Sequence, residues 1–320
     1  MPASNGQPGG TGPSAMGSVE WALLAALSVL WGGSFFFGKV ALADLPPITV
    51  VLGRVAVAAI ALNIVVAARG LRMPPPAAWG PFVAMGTLNN LIPFGLIFWG
   101  QTRIDSGKAS ILNATSPLFT VLLVRWLTDE HRLPRRRMVG IGVGFVGTVV
   151  VLGPETVGGT GGQTLGGLAV LAAALSYGFA KIYGRRFRDT PAAIAACGQV
   201  SATALLALPL ACIVDRPWTL ARPGGATVAA VVGLGLLSTA LAYTIYFRLL
   251  AAAGPTNLSL VTYLVPVTAV ILGVLFLGET LSGRIVAGTA IVFAGLAVVD
   301  GRPLTRLRSI LQGRARRDLQ

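Results

Sequence analysis

The chain states one pattern twice. Residues 115–151 recur loosely at 264–299, with Pro117 and Glu130 spaced by thirteen as are Pro266 and Glu279. Beyond each Glu comes a glycine pair spaced by seven, Gly140 and Gly147 in the first copy, Gly288 and Gly295 in the second, with one extra residue intervening in the first. A duplication on this scale restricts the fold to two related halves. The solvent follows from composition: 54% hydrophobic residues, 11% charged residues and a mean hydropathy of +0.75 leave too little polar surface for a water-soluble domain.

A helix crossing the hydrocarbon needs roughly 20 apolar residues. Ten stretches qualify, bounded by charges and Pro/Gly clusters: 19–38, 47–68, 79–100, 106–127, 137–153, 165–184, 191–214, 225–250, 255–277 and 283–300. The expected fold class is therefore all-α, a membrane protein of ten transmembrane helices in two five-helix repeats, residues 19–153 and 165–300. Residues 1–18, rich in Pro, Gly and Ser, read as a disordered tail, and residues 302–320, with six Arg, as a basic tail. The first apolar stretch has no basic lead and runs on to Phe37, so it reads as a retained helix rather than a cleaved signal.

Placing both termini in the cytoplasm puts eighteen of the 25 basic residues on that side. Lys39, Arg103, Lys108, Arg216, Arg222 and Arg284 fall outside, and Arg54 falls within a span. The asymmetry sets the orientation. It also accounts for the net charge of +14 without a nucleic-acid partner. Five spans per copy is an odd number, so the second copy enters from the opposite side and the repeat is inverted. Trp31 and Gly32 match Tyr177 and Gly178, Lys39 matches Arg185, Phe98 matches Phe247, and Pro46 precedes Arg54 as Pro191 precedes Gln199. Cys197 and Cys212 fall about 22 Å apart along one helix at 1.5 Å per residue, too far to bridge, and no metal-ligand spacing occurs.

The opening WGGSFFFGK at 31–39, LGR at 52–54, ASILNATSPLFTVLL at 109–123, the Glu130 turn and the closing LGE at 277–279 resemble the drug/metabolite transporter (DMT) superfamily, specifically its EamA-type ten-helix branch. The resemblance spans residues 19–300. It implies two inverted five-helix halves around a central cavity and export of small metabolites by alternating access, with no cofactor.

Proline within a membrane helix frees the carbonyl four residues earlier. Pro93, Pro117 and Pro266 would thus break their helices and free Asn89, Asn113 and Thr262, each of which either lines a cavity or bonds a neighbouring helix. Arg54, roughly 10 Å below the outer surface by helical rise, either anchors a carboxylate or phosphate of the substrate, or snorkels outward or clamps backbone carbonyls between helices. Trp31, Tyr177, Tyr243 and Tyr263 are the aromatic candidates for cavity walls, with packing the alternative. Glu130 and Glu279 fit helix-terminus amides. Gly140, Gly144 and Gly147 fit close helix contact. Lys39, Lys108, Lys181 and Arg185 fit snorkelling span-end charges.

All eleven acids fall at span ends, loops or tails, Glu20 lying about one turn into the first span. Without a mid-membrane carboxylate, transport is expected to be facilitated or coupled through a peripheral acid, and neutral, zwitterionic or anionic solutes to be favoured over lipophilic cations. No GxxxxGK[ST] or HExxH occurs, and the single histidine, His131, lies in a basic loop, so neither an ATP-driven pump nor an intramembrane enzyme is expected. A channel or structural membrane protein is the alternative to a carrier. The expected setting is a bacterial inner membrane, with lipid and a small-molecule substrate as partners and a homodimer possible.

Overall fold

The computed structural model describes residues 16–127, 134–153 and 161–301. Glu130, His131, residues 1–15 of the first tail and the basic tail 302–320 fall outside them. Ten helical spans follow one another: α1 (Ser18–Ala41), α2 (Pro47–Ala68), α3 (Gly80–Gln101), α4 (Ser106–Leu127), α5 (Arg135–Leu152), α6 (Gly162–Tyr183), α7 (Ala192–Val214), α8 (within Gly225–Pro255), α9 (Val261–Leu277) and α10 (Gly283–Asp300). Eight of these runs are long and apolar enough to cross a membrane; α5 opens on three arginines, and α9 has 17 residues. Gly254, whose backbone (φ 76°, ψ 167°) only glycine adopts easily, closes α8.

The bundle is apolar outward and polar inward. Ile60, Ile64, Ile213, Leu275 and Phe276 are each more than 60% exposed, whereas Asn90, Gln101, Ser106, Thr115 and Thr203 are fully buried. That inversion suits a helix bundle solvated by lipid.

The halves interleave. α1 packs on α9 and α8, and correspondingly α6 packs on α4 and α3; α2 packs on α7, and α5 on α10. Glycines set the spacing. A Cβ at Gly32 would collide with Thr268 of α9, and one at the matching Gly178 would come within 3.3 Å of the Thr120 backbone of α4. At the α5–α10 crossing, a Cβ on Gly147 would lie 2.5 Å from the Val292 nitrogen, and one on Gly140 2.8 Å from the Gly295 carbonyl. The glycines beyond the repeated Glu are thus contact residues between the last helices of the two halves.

Charged residues close the span ends in ways that sequence position alone does not reveal. Lys39 Nζ donates to the carbonyls of Gln101 (2.7 Å) and Ile104 (3.0 Å), and Lys108 Nζ to Leu152 (3.2 Å), so both cap helix C-termini instead of snorkelling. Glu279 satisfies helix-terminus amides, those of Ser106 (2.7 Å) and Gly107 (3.0 Å) on distant α4, while Asp105, at the N-cap of α4, makes no side-chain cap bond. At this same end Asp44 accepts from the Gly224 amide (2.8 Å) and the Thr227 hydroxyl (2.6 Å), and Asp215 accepts from the Thr49 amide (2.7 Å) and hydroxyl (2.9 Å).

Candidate functional site

Two widened helical turns, one per half, build the centre. In α3, residues Thr87–Leu91 take a π turn in which the Ile92 N–H reaches back to the Thr87 carbonyl. Pro93 follows and brings no N–H, so the Leu88 carbonyl, next in that register, accepts instead from the Ser176 hydroxyl at 2.7 Å. In α8 the π turn Leu236–Leu241 occupies the matching place, with the Ala242 N–H reaching Leu237. Single π turns of this kind recur at functional sites.

Arg54 of α2 points at the α8 turn. Its Nε donates to Thr239 Oγ1 (2.9 Å) and its Nη1 to Ser34 Oγ (2.9 Å), and its guanidinium carbon sits 3.7 Å from the Phe94 ring centroid. The side chain is 6% exposed, so it does not snorkel, and the groups it clamps are hydroxyls and a ring rather than carbonyls. Among the described residues no carboxylate pairs with it. Removing a guanidinium from water costs about 5 kcal/mol, and two neutral hydroxyls with an aromatic face offset only part of this. A positive potential remains, and Tyr177 and Tyr243 lie within its reach.

Gln199, the counterpart of Arg54 on α7, meets the other turn. Its Oε1 accepts from Asn89 Nδ2 (2.9 Å), which also reaches the Tyr243 hydroxyl (3.2 Å). Tyr243 donates to Asn90 Oδ1 (3.0 Å), and Asn90 Nδ2 donates to Thr203 Oγ1 (3.2 Å). Each second helix of a half therefore bonds the π turn of the opposite half. Ser238, counterpart of Asn89, is 1% exposed, and its hydroxyl has no hydrogen-bond partner among the described residues. Tyr243 and Phe247 also wall a cavity of about 420 Å³ between α2, α7 and α8, with Arg69 and Arg248.

Of the residues singled out from sequence, the structure joins Arg54, Asn89 and Tyr243 to this centre and packs Tyr177 against the main core. Trp31 packs at a tilt against Tyr246 (centroids 5.6 Å) in a second apolar cluster, and Tyr263 meets Phe293 edge-on (5.7 Å) in a third. Asn113 ends the first segment of α4; the carbonyl that Pro117 frees takes the Ser116 hydroxyl at 2.6 Å, and the Asn113 Oδ1 is buried without a hydrogen-bond partner among the described residues. Thr262 lies in the first turn of α9. Pro266 is not a break: α9 runs through it from Val261 to Leu277, and the interruption falls earlier, at Ser259–Leu260, where the Thr262 amide bonds Ser259 at 3.1 Å in a tightened turn. Ser34, Thr203, Ser238 and Thr239 escaped the sequence reading because a lone hydroxyl in an apolar run looks the same whether it packs or binds.

Comparison with known proteins agrees with this architecture. The family model of the EamA-like transporter family matches residues 19–153 and 164–299. The Escherichia coli (strain K12) "Uncharacterized inner membrane transporter YedA" is 28% identical over 88% of this chain and 90% of its own. The Streptantibioticus cattleyicolor "Probable terminal-alkyne amino-acid exporter" is 28% identical over 92% and 97%, and "Protein PecM" of Dickeya dadantii 27% identical over 85% and 89%. A solved crystal structure, 22% identical, superposes with a TM-score of 0.64 over 90% of this chain and 99% of that one, which establishes a shared fold. With the duplicated helices, the inverted packing and the buried polar centre, the matches identify a multi-pass membrane transporter rather than an enzyme: the chain belongs to the EamA-like transporter family.

Proposed function

We propose that the protein is a secondary carrier of the inner membrane that exports a small amino-acid-like solute carrying an anionic group, by alternating access of two antiparallel five-helix halves, residues 19–153 and 165–300. The observation that carries this reading is Arg54, a buried cation without a carboxylate partner among the described residues, beside the neutral donors and acceptors of Asn89, Gln199 and Tyr243. A carboxylate would complete the charge pair, and the amides and phenol would hold its polar neighbours. The name of the Streptantibioticus relative, "Probable terminal-alkyne amino-acid exporter", points to the same class. Both termini lie in the cytoplasm on this reading, which puts Asp44, Asp215 and Glu279 at the outer end and Asp189 at the inner end. Transport is facilitated or coupled through a peripheral acid, since no carboxylate lies at mid-span.

Counterflow in proteoliposomes with a panel of radiolabelled amino acids tests the reading. Saturable exchange of at least one, reduced tenfold or more by Arg54→Gln, is expected. Flux through the intact protein that neither saturates nor shows counterflow would make it a channel. Undiminished exchange in Arg54→Gln would remove Arg54 from the site.

A further inference from the structure

We propose that Asp44, Asp215 and Glu279 are latches that hold one end of the bundle shut, and that their loss from the opposite end makes the state closed at the Asp44 end the resting state. The proposal rests on the rocking of two halves described above. Each carboxylate crosses between the halves: Asp44 to Gly224 and Thr227, Asp215 to Thr49, and Glu279 to Ser106 and Gly107. Each accepts two hydrogen bonds and neutralises the exposed amides of a helix N-terminus, so separating the halves would strand a charge and its donors together.

In an inverted repeat of equal halves the other end would carry the same three contacts. Among the described residues none of them is found there, and the sequence says why. In the register that pairs Pro46 with Pro191, Asp44 pairs with Asp189, but in the register of the next helix, which pairs Phe98 with Phe247, the donors it would need are replaced: Gly224 by Pro75, which has no N–H, and Thr227 by Ala78, which has no hydroxyl. Around Asp189 and Ala78 lies a cavity of about 470 Å³, also lined by Arg72, Phe82 and Arg186. Thr49 is matched by Ile194, and the turn that corresponds to Asp215, Arg69–Arg72, holds no carboxylate. Ser106 is matched by Pro255, again without an N–H; Glu130 lies outside the described residues. One end is therefore tied by three carboxylates, while substitution has deleted most of the corresponding donors and one acceptor at the other. Inequality of this kind biases a two-state equilibrium without touching substrate.

Spin-label distances in the full-length protein in lipid nanodiscs test this without any substrate. In a Cys197→Ala, Cys212→Ala background, one label pair (Ala43→Cys with Ala226→Cys) reports the Asp44 end and another (Ala77→Cys with Arg188→Cys) the Asp189 end. The unaltered latches should give a short distance at the first pair and a long one at the second. Removing all three (Asp44→Ala, Asp215→Ala, Glu279→Ala) should raise the open-to-closed ratio at the first pair by at least tenfold and shorten the second. Should the triple variant fail to fold, Ala78→Thr, which supplies Asp189 with a hydroxyl and removes no native bond, should by itself raise the short population at the second pair several-fold. An opening of the first pair that leaves the second unmoved supports the latches and overturns the rocking of the halves. A triple variant that folds but keeps the first pair short overturns the latches, even if Ala78→Thr drives both ends in opposite senses and so upholds the rocking. If the triple variant does not fold and Ala78→Thr moves neither pair, the latches are overturned as well.

Discussion

The Ser176 hydroxyl of one half donates to the Leu88 carbonyl of the other at 2.7 Å, at the place where Pro93 leaves the α3 backbone one donor short. The bond repairs, from outside, a fault that the proline creates from within. Ser176→Ala should therefore destabilise the protein by about 1–2 kcal/mol through the stranded carbonyl. In a Pro93→Ala background, where the backbone regains an N–H, the same change should cost less. Unfolding midpoints of the four proteins of this double-mutant cycle, in detergent, give the coupling directly.

Tyr243 is the hinge of the central network, accepting from Asn89 and donating to Asn90 Oδ1 at 3.0 Å. Tyr243→Phe keeps the ring and strands a buried acceptor, a loss of about 1–3 kcal/mol. If the network also positions solute, half-saturation in the counterflow assay should rise more than the maximal rate falls. An equal loss of stability with unchanged half-saturation would limit the hydroxyl to packing.

Two glycines of one helix should respond in opposite senses. A methyl at Gly147 would press on the Val292 backbone, whereas at Gly142 it would meet nothing within 4 Å. Gly147→Ala should destabilise by about 1–3 kcal/mol, and Gly142→Ala should be neutral or stabilise by up to about 1 kcal/mol through helix propensity. Thermal midpoints in one detergent measure both.

Hydrogen bonds from the Thr227 hydroxyl and then from the Gly224 amide hold the Asp44 carboxyl below the ordinary aspartate range. A depressed carboxylate contributes stability that is present above the unfolded value, about 3.9, and is lost as pH falls through the folded one. The difference in melting temperature between the native protein and Asp44→Asn should thus stay constant from pH 8 to about pH 5 and shrink only in stronger acid. A difference that vanished between pH 7 and 5.5 would instead mark Asp44 as an acid that titrates in the range used for proton coupling.

The all-helical bundle and its two related halves were legible because period and span length are local or additive signals. Arg54 and Gln199 were legible as a matched pair because prolines fixed their register. What they touch was not. Arg54 meets Thr239 and Asn89 meets Gln199 across the boundary between the halves, far apart in sequence. The widened turn of α3 has Pro93 as a sequence signal, but that of α8 has no proline or glycine within Leu236–Leu241, so its shape answers to packing. Trp31 was ambiguous for the same reason: an interior aromatic is equally at home against Tyr246 or against solute.

The crossing of α5 and α10 is an isologous contact, since Gly140 meets Gly295 while Gly147 meets Gly288. It lies on the pseudo-two-fold axis that exchanges the halves. When two inverted halves trade conformations, contacts on that axis map onto themselves and contacts away from it map onto different residues. In the rocking cycle proposed above, the glycine seam is therefore a pivot that costs the same in both states, whereas an off-axis tie such as Asp44 with Thr227 exists in only one. The seam preserves the assembly while the ties decide its bias, so substitutions at the glycines should alter stability, and substitutions at the carboxylates should alter the balance of states.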